Sequence, residues 1–320
     1  GQVSKNSSQT DTGADELLEK TLNNKDLSYE ADLYERNRLE RIREVANDSS
    51  EELRFLKDYG LPNSINHIVA TKELLNQNES IYQNASKLFQ KSSKEELKKD
   101  QIDAIEKKEK LLSSLEEFYQ SLDEVAEEVL LEKDITANEV LQIKQLKSMI
   151  RLNQGLNKKE HYNIPLITED SITNINLTVI HGAKEEGKVY LSYPSKKFGT
   201  VQAELKLSGE ISKCFITVED RESLESLKDS QELIIKDLKN QGIKVTSINL
   251  GIKSKFAEGY LYKSGKFYRE SQLESASVEE KEDSLTQEIS ESKYNTEDLY
   301  LAAKTIIQSF QKLEGFKDTI

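Results

Sequence analysis

The sequence predicts an α+β protein: an N-terminal all-helical arm or bundle followed by a small mixed sheet with one long packing helix. Three observations lead there. Apolar residues recur at helical spacing through the first half, they switch to alternation after Pro165, and one helical stretch interrupts that alternation before it resumes. At 320 residues the chain is longer than one ordinary domain. Charged residues make up 32% and apolar ones 36%, a lean balance that suits helices whose narrow apolar stripe leaves most positions in water.

Residues 1–15 are polar and should be disordered. From about Glu16 a helical pattern sets in, with Leu33, Leu39, Ile42 and Val45 on one face. Ser49 and Glu52 have capping-box spacing and open a short helix that ends near Gly60. Leu61-Pro62-Asn63-Ser64 starts the next one, with Ile65, Ile68, Val69, Leu74 and Leu75 following at helical spacing. A second capping box, Ser93 to Glu96, begins the longest predicted helix, running to about Lys133. There Ile105, Leu112, Tyr119 and Ala126 recur every seven residues, and Leu115, Leu122 and Val129 form the other seam. Such a heptad calls for a long partner helix, either in this chain or in a second copy as a homodimer. Thr136 and Glu139 cap a further helix with Val140, Ile143, Leu146, Met149 and Ile150 inside. Together these form a helical arm over 16–165.

The domain over 166–268 reads as sheet. Ile175, Leu177 and Val179 alternate with polar residues, as do Val189, Leu191 and Tyr193 after a turn at Glu186-Gly187. Val201, Ala203, Leu205 and Leu207 give a strand with one wet face, and Cys214, Ile216 and Val218 return from a turn at Gly209. One helix from about Asp220 to Asn240 follows, closed by Gly242 as a left-handed cap. Ile248, Leu250 and Ile252 form the final strand. The predicted order is four strands, a helix and a strand, with aromatic residues Phe256 to Tyr268 as an extension. An acidic linker over 269–292 leads to a C-terminal amphipathic helix over 293–316 that docks back on the arm.

A net charge of −13 repels phosphate backbones and argues against nucleic acid as a partner. No window approaches the roughly 18 apolar residues of a membrane span, so no membrane insertion is expected. His67, His161 and His181 lie in different segments without metal-ligand spacing, and Cys214 sits among apolar strand positions as a buried, inert thiol. Phosphate loops and serine elbows are absent. Pairs such as Glu116-Glu117 are side chains pointing apart on a helix. We therefore expect no enzyme, no catalytic or metal-binding residues and no cofactor.

One stretch is more specific. Val189-Tyr190-Leu191-Ser192-Tyr193-Pro194-Ser195-Lys196-Lys197-Phe198-Gly199-Thr200-Val201 resembles the L-x-L-x-P-x-x-L-G-x-V-x-V pattern of the C-terminal domain of flagellar hook-length control proteins. It has one extra residue before Gly199 and phenylalanine in place of leucine. The Gly209 turn, the Ile211 to Val218 strand, a helix of about twenty residues and Gly242-Ile243-Lys244-Val245 follow in the same order, so the likeness spans about 175–252. Pro194 is expected to end an edge strand, Gly199 to permit the turn, and Phe198 and Val201 to anchor it. The resemblance implies a domain that contacts the cytoplasmic part of the flagellar type III export gate and switches export specificity. It also implies a cytoplasmic location, or export through that system. The combination is also similar to proteins of Gram-positive gut bacteria in which helical repeats precede a hook-control-like domain. Pro194, Ser195, Lys196, Lys197, Phe198 and Gly199 form the expected partner contact, since loops on a rigid sheet commonly hold binding residues. The alternative is a structural or adaptor protein of a surface or secreted assembly, joined through helical oligomerisation.

Overall fold

In the computed structural model the described residues are 36, 39, 40, 43, 49–76, 82, 97, 101–131, 135–167, 172–181, 186–208, 211–252 and 296–315. They form an α+β fold built on one six-stranded mixed sheet. Helices α1 (Ser50–Asp58), α2 (Ile65–Asn76), α3 (Lys108–Leu130) and α4 (Ala137–Asn157) precede it, with a 3-10 turn at Ile102–Glu106. The sheet contains β1 (His161–Ile167), β2 (Ile172–His181), β3 (Glu186–Ser195), β4 (Gly199–Ser208), β5 (Ile211–Val218) and β6 (Val245–Ile252). Between β5 and β6 lie α5 (Arg221–Lys228) and α6 (Gln231–Asn240), and α7 (Thr296–Leu313) closes the series.

Strands lie in chain order. β1 to β5 run antiparallel, and the crossover through α5 and α6 sets β6 parallel to β5. Side chains alternate between faces, so register carries one apolar row across the whole inner face: Tyr162, Leu177, Leu191, Ala203, Ile216 and Leu250. α5 and α6 cover that face at β5 and β6, and α7 covers it at β2 and β3.

Among the described helices α7 carries the broadest buried face. Leu299, Tyr300, Ala302, Ala303, Ile306, Ile307 and Phe310 are all fully buried, a wider apolar arc than a surface helix shows. One side meets the sheet, where the Phe310 ring stacks on Tyr193 and meets Phe198 edge-on, with centroids 6.0 and 5.9 Å away. The other meets the 3-10 turn, where Lys304 Nζ lies 3.1 Å from Asp103 and 3.2 Å from Glu106. α6 flanks it, Asp237 accepting from Ser309 at 2.9 Å. The C-terminal helix thus docks on sheet and helical half together.

Several expectations change. The sheet begins at His161 rather than after 165, and β1 is a sixth strand. Pro165 sits on this edge strand, where a missing N–H is tolerated. Pro194, by contrast, lies in an interior strand. It is accommodated because β3 pairs with β2 only as far as Ser192, leaving Pro194 opposite Thr200 of β4 alone. The longest helix starts at Lys108, not near Ser93, since Lys107 is extended (φ −145°, ψ 143°). Its buried face includes Leu111, Leu115, Phe118, Leu122, Val125 and Val129, while Leu112 is half-buried. That is the stripe of a helix packed within a globule, and α4 packs on it. The helix expected over 220–240 is two. Ser230 Oγ donates to the Ser226 carbonyl at 3.2 Å, and the Ser230 amide turns to Leu227 at 3.0 Å, which breaks the ladder. Ser49 makes no side-chain capping bond, whereas the Thr136–Glu139 capping box forms in full. Gly242 is left-handed at φ +82°, as its capping role requires. The expectations for 1–15, most of 16–46, Ser93 to Glu96, Phe256 to Tyr268 and 269–292 lie outside the described residues.

Because Phe310 closes the gap between hairpin and helix, Phe310→Ala should lower the unfolding free energy by about 3–5 kcal/mol in urea titrations. An unchanged midpoint would mean that α7 is not part of the cooperative unit.

Candidate functional site

The hairpin joining β3 to β4 holds all six residues expected to contact a partner. Ser195 pairs with Gly199, leaving Lys196-Lys197-Phe198 as the loop. Ser195 is buried, and its hydroxyl accepts from the amides of Lys197 (3.2 Å) and Phe198 (2.9 Å). This serine turn fixes the loop from inside. Gly199 has φ +67°, a conformation that calls for glycine, and a Cβ there would also push aside the exposed Glu219 side chain.

Phe198 is fully buried against Phe310, and Pro194 and Gly199 are half-buried. Only Lys196 and Lys197 are exposed, with Lys197 Nζ 5.0 Å from the Phe198 ring centroid. Tyr193 extends the anchor by donating to Glu314 at 3.2 Å. The six residues therefore divide: four build and brace the turn, and two lysines present a rigid cationic tip.

A second constellation has no motif in the sequence. Glu160, just after α4, adopts φ +58°, an uncommon conformation for a residue with a Cβ. Its side chain is nearly buried where α3, the β1–β2 end of the sheet and α7 meet. Oε2 accepts from Tyr300 Oη at 2.9 Å and lies 2.7 Å from His181 Nε2, while Lys108 bonds to Oε1. Tyr162 and Tyr300 share a hydroxyl contact of 2.8 Å, which continues the chain inward. Burial works against the Glu160 charge, but hydrogen bonds from Lys108 and His181 outweigh it and hold the carboxyl below its usual range. Burial pushes both tyrosine hydroxyls up, keeping them protonated as donors. With both oxygens engaged, this carboxylate is arranged to tie elements together.

Across β1 from it, His161 is buried, 3.0 Å from Thr178 Oγ1 and 3.5 Å from Tyr59 Oη. Burial pushes its pKa down to about 4, with the Glu160 charge opposing. His67 is also lowered, by burial and then Arg151, and bonds Ser64 at 2.8 Å. Cys214 is buried and its thiol is pushed up to about 12 by burial, then by Glu204. Among the described residues no three or more His, Cys, Asp or Glu side chains gather as a metal site. No helix among them is long and apolar enough to cross a membrane.

Comparison with protein-family models, curated proteins and solved structures yields no match to this chain.

The buried, neutral His161 sets a pH dependence. An unfolded histidine takes its proton near pH 6.5, and the folded one only near 4. Its contribution is therefore complete above 6.5 and lost as pH falls toward 4, a total on the order of 3 kcal/mol. In urea titrations across that window His161→Gln should flatten the decline, leaving the slope due to His67 and, toward the acid end, to carboxylates held low such as Glu160. Equal slopes in both proteins would rule out a neutral buried His161.

Proposed function

We propose that the chain is a non-enzymatic, hook-length-control-like protein that works by protein–protein contact on the flagellar type III export apparatus, with the β3–β4 hairpin tip as its contact point. The observation that carries this reading is the bracing of the tip. Phe198 is clamped on Phe310, the Ser195 hydroxyl holds two loop amides, and Lys196 and Lys197 are left facing water. A rigid loop loses little conformational entropy on docking, which favours a binding role. The resemblance places a hairpin, a strand, a helical crossover and a last strand in that order, and this is the chain order of β3 to β6, with two short helices in place of the one it implies. Two lysines suit an acidic patch on the partner.

The adaptor alternative drew on a helix seam free for a second copy. In this fold the α3 stripe is buried inside the chain, which takes away that motive.

The test is calorimetry of the full chain with the cytoplasmic domain of the export gate from the same bacterium. Saturable binding is expected, weakened about ten-fold or ~1.4 kcal/mol by Lys196→Glu with Lys197→Glu at unchanged thermal midpoint. Absence of binding by the folded wild type, or equal binding by the variant, would sink the proposal.

A further inference from the structure

The outer face of β3, β4 and β5 belongs to neither site above. Among the described residues, α5, α6 and α7 pack on the inner face, and Tyr59 of α1 and Asn153 of α4 reach the outer face at β1. Register then sets Lys188, Lys206 and Lys213 directly opposite one another on three adjacent strands. Like charges so placed repel. Glu186 answers part of that charge, its carboxylate lying 3.3 Å from Lys206 Nζ and within the field of Lys188, which is itself engaged, so the unanswered charge of the row is that of Lys213. Lys213 is exposed, with no carboxylate in ion-pair distance among the described residues.

Two positions along β5 from Lys213, Phe215 is 45% exposed. Its ring leans on Gly251 of β6, where a Cβ would come within 3.2 Å of the ring. Glycine leaves room for the edge of the phenyl group, nearly half of the residue staying open to solvent. Glu204, opposite Phe215, is engaged by the Tyr190 hydroxyl at 3.3 Å. A chain of net charge −13 thus turns outward a cationic row with an exposed apolar ring beside it.

We propose that this face docks an acidic segment of a partner protein. Carboxylates of the segment meet the lysine row and relieve its repulsion, and an apolar side chain of the segment covers Phe215. Charge complementarity favours this occupant. A long polyanion such as nucleic acid would have to overcome the field of the whole acidic chain, whereas a short segment with a few carboxylates meets the local row. The surface lies roughly 26 Å along β3 from the hairpin tip, so it is a separate contact that stands or falls independently of the export reading.

The experiment uses the full chain and a labelled synthetic peptide of alternating glutamate and leucine, read by fluorescence anisotropy. Saturable binding is expected, weakening as salt rises from about 0.05 to about 0.5 M. Lys206→Gln with Lys213→Gln, and separately Phe215→Ser, should each weaken it about ten-fold. Lys213→Gln alone, which leaves the Lys206–Glu186 pair in place, should melt at the same temperature as wild type or higher, because repulsion is removed. No saturable binding, or equal binding in the variants, overturns the proposal. So does displacement of the peptide by oligothymidylate at lower concentration than by unlabelled peptide, which would make the face a nucleic-acid surface. A dimer that sediments as monomer after the lysine substitutions would give the face to a second copy instead, and also overturns it.

Discussion

Everything in this fold depends on how α7 is enclosed. A helix that is apolar over so wide an arc cannot rest on a surface, so it has to be wrapped by several elements at once. The sheet supplies Tyr162 and Tyr193, the hairpin supplies Phe198, α6 supplies Asp237, and the 3-10 turn supplies the carboxylates for Lys304. Ala302 and Ala303 are fully buried and let the helix approach closely. The hairpin tip inherits its rigidity from this arrangement, because the aromatic clamp under it is half made of α7.

β1 plays the matching part at the edge of the sheet. Its residues His161 to Leu166 are buried on both faces, with Tyr162 turned to Tyr300 and His161 and Asn163 turned to the helical half. Polar side chains on the helical side bond across the junction, Asn163 donating to Asn153 at 2.6 Å and Tyr82 donating to the Asn163 carbonyl at 2.7 Å, while the buried Asn153 amide nitrogen is left without a partner. Buried polar groups paired in this way fix one arrangement of the layers, since any slippage leaves donors and acceptors without partners. Glu160 adds a charged tie at the same junction, in a backbone conformation that turns the chain from α4 into β1.

Alternation made five of the six strands legible, because each has one face in the core and one toward water. β1 escaped because covering both faces erases alternation: His161 and Asn163 look like wet positions and are not. The turn residues were readable for local reasons, Gly199 and Gly242 through their left-handed backbone and the Thr136–Glu139 box through its spacing. The end of the helix at Lys108 was not, since Lys107 offers no capping group and no glycine or proline marks the break. The six residues share one hairpin, as their adjacency in sequence makes plain, but their division into two exposed lysines and four scaffold residues needed Phe310, more than a hundred positions away. The Glu160 cluster gathers Lys108, Tyr162, His181 and Tyr300 from four elements, and no spacing rule could have joined them.

The enclosure of α7 also has a meaning in time. By the time a ribosome has made β6, every strand of the sheet exists, yet the cover for β2 and β3 has still to be synthesised. At ordinary translation speeds the interval from Ile252 to Phe310 is roughly 3 to 12 s. Throughout it the nascent sheet shows water the apolar row that α7 will later hide. A growing chain of this kind is a natural client for holding chaperones, and its last steps of folding wait on a helix rather than on the strands.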